Sequence, residues 1–454
     1  MVSEDKRLQR PERPPFSSLP YAVSYLDRFQ FHGFRLGLDR IEAVLQATGN
    51  PQNRYPCIHV AGTNGKGSVC AALVSIFKGA GCSVGLYTSP HLYKLNERFR
   101  LGLEPVMDSE LLQLINEIGM LVESGMELSY FEFTTAMAFL WFARRKVDIA
   151  IIETGLGGRL DATNVITPLV SVITNISLEH QAYLGNTIGK IAGEKAGIIK
   201  PGRPVVSGLL HPEAMPVIEK TAAARQARLA RFGREFHAVH GDRGLFDYSG
   251  MAINIEGLRF GLAGSHQAEN AAIAIAATEV AAAQGLFSLG QDTIKAGLRN
   301  TYWPGRSELL VNGTRKVLLD GAHNMAGVDA LRKLLEDSRG QGCLPASMDL
   351  LWACSDEGGD KDINALLDRI APLFRRIVIT EPRGPRKPVP LEAWKQAAGK
   401  WHADLEPDWE AAVQDMTGRL SMDSLLVIAG SLYLVGPARH KLMSSGFGTQ
   451  PFIC

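Results

Sequence analysis

The stretch HVAGTNGKGSVCAAL, residues His59 to Leu73, decides how the chain is read. Cys57 to Val60 is a short apolar run suited to a buried strand. Gly62-Thr63-Asn64-Gly65-Lys66-Gly67-Ser68 is a glycine-rich turn, and Val69 to Phe77 carries apolar residues at helical spacing. Strand, glycine loop, Lys and Ser, then helix is the build of a phosphate cradle. Glycines let successive backbone N–H groups turn toward one anion, and the helix N-terminus adds partial positive charge. Lys66 would reach the terminal phosphates as a point charge. The usual spacing, G-x-x-x-x-G-K-[ST], asks for Gly at 60 and a hydroxyl at 67. Here Val60 and Gly67 stand there, and the hydroxyl comes at Ser68. A plain glycine turn between strand and helix therefore stands beside the phosphate reading.

Outward from this loop, 454 residues exceed one hydrophobic core, so two domains are expected. Apolar residues are 46% and charged residues 21%, ordinary for a globular protein, and a net charge of +1 gives no bulk field for nucleic acid or an anionic membrane. No apolar run is long enough to span a bilayer, and the polar MVSEDKRLQRPERPP start lacks the apolar core of a signal peptide. The six cysteines show no C-x-x-C spacing and read as reduced thiols of a cytoplasmic protein.

Pro20 to Phe29 has a helical pattern that breaks at QFHGFRLG, and Leu38 to Leu45 resumes it. Ser83 to Tyr87 reads as a second strand, followed by Thr88-Ser89-Pro90, either a simple turn or a loop whose Ser89 hydroxyl binds a hard cation. Asp108 to Val122 and Phe131 to Arg145 have the spacing of sheet-covering helices. Val147 to Ile152 is a mostly apolar strand ending in Glu153 and a glycine-rich loop. A carboxylate at the C-terminal end of a buried strand sits where doubly wound sheets bind ligands. Mg²⁺ usually takes one or two carboxylates plus substrate phosphates, so Glu153 is a metal candidate. Leu169 to Thr174 is the next strand, and His180 follows its end at the same edge. Lys195 lies in the helix Ile188 to Ile199, where spacing alone suggests only a solvated lysine. Arg228 to Gly264 holds short strand-like pieces, and Ala268 to Gln284 is a helix apolar enough to be buried on all sides.

After a linker near Arg299 to Pro304, the remaining ~150 residues suffice for a second α/β domain. Lys316 to Leu319, Asp349 to Ala353, Arg376 to Thr380 and Leu425 to Ala429 read as its strands. Asp320-Gly321-Ala322-His323-Asn324 and Gly430-Ser431 follow two of them, each either an ordinary strand-to-helix turn or a ligand position.

Taken in order, LGLDRIEAVL, HVAGTNGKGS, YTSPHL, NERFR, YFEFTTAMAF, ETGLGGRLDATNV, ISLEH, GEKAGII, HQAENAAIA, WPGRSE, LLDGAHN and AGSLY resemble the folylpolyglutamate synthase and dihydrofolate synthase family of the Mur ligase superfamily. The segments run from about Leu36 to Leu434, and the offset phosphate loop is the form this family uses. The resemblance implies an α/β fold: an N-terminal P-loop ATPase domain with a parallel sheet (residues 1–300) and a C-terminal Rossmann-like domain (305–454), with the site between. It implies that ATP, with Mg²⁺, phosphorylates a carboxylate and that L-glutamate attacks the acyl phosphate. By matching position, Asn64, Gly65, Lys66, Gly67 and Ser68 would hold the phosphates, and Asn270, Arg306 and Asp320 would contact the nucleotide. Ser89, Glu153 and His180 would bind magnesium. Lys195 would be a carboxylated lysine supporting a second metal, joining Lys66 and His180 in catalysis. His323 and Ser431 would help bind glutamate, and the pterin would lie near Gly33 to Leu36, Ser129, Leu160, Asp161 and Ala162. Bifunctional members are expected to carry Thr where Ser129 stands and another residue at Gly33. The DKDI segment of the family recurs as Asp360 to Ile363, preceded by an unusual acidic, glycine-containing stretch, Ser355 to Gly359.

The residues leave the acceptor as dihydropteroate, folates or both, and the expected protein is a monomer acting on small molecules. Two rivals remain. A P-loop switch or motor would hydrolyse ATP independently of glutamate and leaves DGAHN unexplained. A cell-wall Mur ligase would usually need an extra N-terminal domain, where only about 60 residues precede the loop here.

Overall fold

The computed structural model describes residues 13–32, 37–242, 244–355, 362–384 and 387–452. Gly33 to Leu36, expected near the pterin, and residues 356–361 of the acidic and DKDI stretch lie outside the described residues.

Two large sheets organise the chain. The first contains β1 (Cys57–Ala61), β2 (Val84–Tyr87), β3 (Phe99–Leu101), β4 (Glu104–Pro105), β5 (Ile149–Glu153), β6 (Val170–Ile173), β7 (Val205–Ser207) and β8 (Leu229–Arg231). Their order is β4-β3-β2-β5-β1-β6-β7-β8. The strands from β2 to β8 run parallel, and β3 and β4 join antiparallel at one edge. Every residue of β1, CIHVA, and of β5, IAIIE, is buried, as a parallel sheet with helices on both faces requires. One face is covered by the helices Lys66–Gly79 and His266–Ala282. The other is covered by Leu19–Asp27, Asp108–Glu123 and Tyr130–Arg145. Strand order reverses around β1, which lies between β5 and β6 and parallel to both, so the crevice over their carboxyl ends is the switch point of the sheet. Register places Val60 beside Glu153 and beside Val172.

The pieces expected between Arg228 and Gly264 form, beyond β8, a separate antiparallel sheet of β9 (His237–His240), β10 (Leu245–Ser249) and β11 (Asn254–Arg259). The second large sheet is built from β12 (Glu308–Asn312), β13 (Arg315–Leu319), β14 (Ser347–Trp352), β15 (Arg376–Ile379), β16 (Asp404–Leu405), β17 (Ser424–Ala429) and β18 (Gly448–Gln450), in the order β16-β15-β14-β17-β13-β12-β18. Its five strands from β16 to β13 are parallel. The antiparallel pair β12 and β18 closes one edge, and with β16 at the other edge these three strands add to the four expected from sequence.

Cys57, Cys70 and Cys354 are buried thiols and Cys82 is partly buried. Cys343 is disulfide-bonded, which corrects the expectation of six reduced thiols. C-x-x-C spacing detects only local pairs and carries no signal for such a bond. Among the described residues no helix is long and apolar enough to cross a membrane.

The loop after β2 packs onto the helix Leu432–Ser444 of the second half. A Cβ at Gly436 would overlap the Leu92 carbonyl, and next to it the Tyr93 and His440 rings stack with centroids 4.0 Å apart. Gly436→Ala should therefore force the two halves apart at this point. We expect it to lower stability by about 2 kcal/mol, measured by urea unfolding, since backbone cannot yield as a side chain does.

Candidate functional site

The phosphate-type loop is fastened from below by the end of β6. Asn64 N–H donates to Asn175 Oδ1 (2.8 Å), Thr63 N–H to the Asn175 carbonyl (2.9 Å), and Thr174 Oγ1–H to the Asn64 carbonyl (2.6 Å). Its glycines sit where no side chain fits. A Cβ at Gly62 would overlap Thr174 Oγ1, one at Gly65 would overlap Asn270 Oδ1, and one at Gly67 would lie 2.8 Å from Trp303 Nε1. Gly65 also has φ +83, which admits glycine with little strain, and it caps the helix Lys66–Gly79. The Lys66 ammonium bends back to the Gly62 and Thr63 carbonyls, at 2.8 and 3.1 Å.

The carboxyl ends of both sheets open onto one cleft. It is lined by Asn64, Gly65, Lys66, Gly67, Ser68, Ser89, Glu153, His180, Asn270, Arg306, Asp320, His323 and Ser431, so thirteen separately expected residues meet there. Glu153 is 6% exposed and accepts a hydrogen bond from Ser89 N–H (3.2 Å). Burial pushes its carboxyl upward, while Lys66, the Ser89 N–H and Arg306 pull it back. His180 caps a short helix with φ 45, an uncommon backbone state for a non-glycine residue and one that clusters at functional sites. Asp320 accepts hydrogen bonds from Ser307 N–H (2.8 Å), Ser307 Oγ–H (3.0 Å) and Ala322 N–H (2.8 Å). Ser431 caps the helix Leu432–Ser444, and its Oγ lies 2.9 Å from Ser355 Oγ.

Five expected residues do not line this cleft. Lys195 is 1% exposed and lies behind it, its ammonium 2.6 Å from Glu179 Oε1, and Glu179 is the member of that pair facing the cleft. Ser129 caps the helix Tyr130–Arg145 through a reciprocal bond with Glu132. Asp161 is buried and gathers the loop after β5, accepting from Gly155 N–H (2.9 Å), Leu156 N–H (2.8 Å) and Thr163 N–H (3.0 Å). Leu160 and Ala162 flank it. The Phe131 ring packs over Gly155 where a Cβ would be, so Ser129 and the 160–162 turn share one neighbourhood beside Glu153.

Sequence reasoning missed Asn175, Glu179, His266, Asn324 and Ser355, all lining the cleft or bridging it. Asn175 had a usable signal, because it follows a buried strand as Glu153 does. Asn324 pairs with Asn64 across the cleft, Nδ2 to Oδ1 at 3.1 Å one way and 3.4 Å the other, linking the first sheet's loop to the second sheet's.

The Glu179–Lys195 pair makes a pH prediction. Burial alone would raise the Glu179 carboxyl, but the Lys195 ammonium, with Lys66 behind it, holds it down to about 2. A carboxyl depressed by folding adds stability above its unfolded value of about 4.3, and this is lost as pH falls toward 2. Glu179→Gln should cost about 3 kcal/mol at neutral pH and flatten the acid limb of unfolding free energy between these limits. An unchanged acid limb in denaturant titrations would remove the pair's electrostatic role.

Residues 60–278 match the family model of the Mur ligase middle domain. The chain is 36% identical over 414 residues to folylpolyglutamate synthase of Lacticaseibacillus casei, covering 89% of this chain and 94% of that protein. It is 33% identical over 444 residues to dihydrofolate synthase/folylpolyglutamate synthase of Bacillus subtilis, covering 94% and 100%. Among solved structures, E. coli FolC in complex with DHPP and ADP superposes with a TM-score of 0.84 at 28% identity, covering 94% of this chain and 98% of that one.

Proposed function

The chain belongs to the folylpolyglutamate synthase and dihydrofolate synthase family of Mur-type ligases, and from that premise we propose an ATP-dependent ligase that joins L-glutamate to folates and to dihydropteroate through an acyl phosphate. The observation that carries the proposal is the cleft itself. A glycine loop with Lys66, a buried Glu153, Arg306 and the strand-end groups of a second sheet converge on one space. In this proposal residues 1–300 and 305–454 are two domains. All strands of the first two sheets precede the first boundary, and all strands of the third follow the second.

An acceptor carboxylate oxygen attacks the γ-phosphorus of ATP and ADP leaves. The glutamate nitrogen then attacks the acyl carbon, loses a proton, and expels phosphate. Such chemistry needs positioning and charge stabilisation more than covalent help. In this proposal the N–H groups of Gly65 to Ser68 face the phosphates, and the Lys66 ammonium turns to them from the Gly62 and Thr63 carbonyls. Asn64 and Asn270 border them, and Arg306 adds charge from the opposite wall. Asp320 holds Ser307, next to Arg306, in place and borders the nucleotide. His323 and Ser431, at the carboxyl edge of the second sheet, hold glutamate. Ser129 and Leu160, Asp161 and Ala162 border the pterin side.

The donor set suits Mg²⁺. Among the described residues no three His, Cys, Asp or Glu side chains form a metal cluster of their own. Ser89, Glu153 and His180 offer only a partial shell, the kind that ATP phosphates complete around Mg²⁺. Bound there, the ion would screen the charge of the transferring phosphoryl group. Lys195 is proposed to be carboxylated in the working enzyme. A carbamate would set a second anion against Glu179, an arrangement stable only with a cation beside it. A cytoplasmic monomer completes the proposal.

Purified protein given ATP, Mg²⁺ and glutamate should form amide product with tetrahydrofolate and with dihydropteroate. Product from tetrahydrofolate alone, with no growth rescue of a strain lacking dihydrofolate synthase, would leave a folylpolyglutamate synthase only. Lys66→Ala should lower ligation at least about a hundredfold while the circular dichroism spectrum stays unchanged. Glu153→Gln should raise the Mg²⁺ concentration needed for half-maximal rate, and a magnesium titration overlaying the parent's would refute that role.

A further inference from the structure

The WPGRSE segment carries Arg306 into the cleft, but it also carries Glu308, a carboxylate that the ligase chemistry leaves without a task. Glu308 is 6% exposed, too buried for an unpaired charge. Arg439 reaches it from the helix Leu432–Ser444, its Nε lying 3.0 and 2.9 Å from the two carboxylate oxygens. The Tyr302 hydroxyl donates to the same carboxylate and accepts from Arg439 Nη2 (2.8 Å). The remaining contact runs toward Arg306: Gly305 N–H donates to Glu308 Oε2 at 2.8 Å.

The other side of Arg306 is held in the same manner. Ser307 donates both its N–H and its hydroxyl to Asp320 Oδ2. Gly305 has φ +70 and Ser307 has φ 47, so Arg306 lies between two residues in left-handed backbone conformation. Glycine adopts it freely. A serine keeps it only where its surroundings over-determine the backbone, and such strain collects at functional sites.

We propose that Glu308, locked by Tyr302 and Arg439, is a positioning residue that aims Arg306 at the nucleotide phosphates. The inference rests on the ATP-ligase reading. A purely structural ion pair at the edge of the second sheet would also explain Glu308's burial. That alternative predicts a loss of stability only, whereas an aiming role predicts a loss of nucleotide affinity that disappears once Arg306 is gone.

The test is a double-mutant cycle on the full chain, read by calorimetric binding of the non-hydrolysable ATP analogue AMPPCP. Glu308→Gln should weaken binding about tenfold, and Tyr302→Phe, which removes one hydroxyl from a partly exposed ring, about threefold. In an Arg306→Ala background each should change affinity less than twofold. KM for glutamate should stay within twofold of the parent, because His323 and Ser431 follow β13 and β17 and neither is among the groups that hold Glu308. Parent-like analogue binding by Glu308→Gln overturns the inference. So does a full tenfold further loss on top of Arg306→Ala. Should Glu308→Gln fail to fold, Tyr302→Phe decides on the same two criteria. Failure of the parent to bind the analogue would instead strike the ligase reading, and the aiming role with it.

Discussion

The phosphate loop has no spare volume, and the cleft takes its shape from that crowding. Thr174 presses on Gly62, Asn270 on Gly65 and Trp303 on Gly67, each from a different part of the chain. Close packing of this kind transmits position: the end of β6, the buried alanine-rich helix and the linker between the sheets are all referred to one backbone turn. A loop fastened from three directions presents its N–H groups in a fixed direction. Little ordering remains to be done when an anion arrives, which is how preorganised donors gain strength.

Charge is arranged around that loop in a second layer. Glu153, Glu179 and Asp320 line the cleft together with Lys66 and Arg306, and none of the three carboxylates stands isolated. Glu179 faces Lys195, Asp320 braces a strained serine, and Glu153 accepts the Ser89 N–H. Buried charges need partners of this kind to remain ionised. Lys195 sits behind the cleft wall, while Ser89 and Ser307 line the cleft beside the carboxylates they hold.

The parts legible in the sequence were those with local signatures. The glycine loop, the strand-end Glu153 and the strand-end Asp320 follow from spacing and from the rule that open sheets bind at their carboxyl edges. Arg306 and Asn270 came only through family resemblance, because an arginine in a linker and an asparagine in a helix carry no periodic mark. Glu179 was passed over beside His180, since its importance depends on Lys195 arriving from the next helix. The hairpin of β12 and β13 turns at Gly313-Thr314, with Gly313 at φ +60, and β12 itself was not among the expected strands. The edge strand β18 is three exposed residues, GTQ, and no hydrophobic pattern could mark it. In the small antiparallel sheet, alternation is clear in β10 and broken in β11 near Gly257, where the pairing shifts register.

The amide pair of Asn64 and Asn324 has a further consequence. It joins the two halves directly above the phosphate loop, and neither partner carries a charge. Salt screens interactions between ions and acts weakly on amide-to-amide bonds. This one contact between the halves is therefore indifferent to ionic strength and to pH over the range where proteins function. Binding of an anion between Lys66 and Arg306, as proposed above, would weaken as salt rises. The amide contact and anion binding thus depend on different forces at positions two residues apart in one loop, and changing the salt concentration would tune one while leaving the other in place.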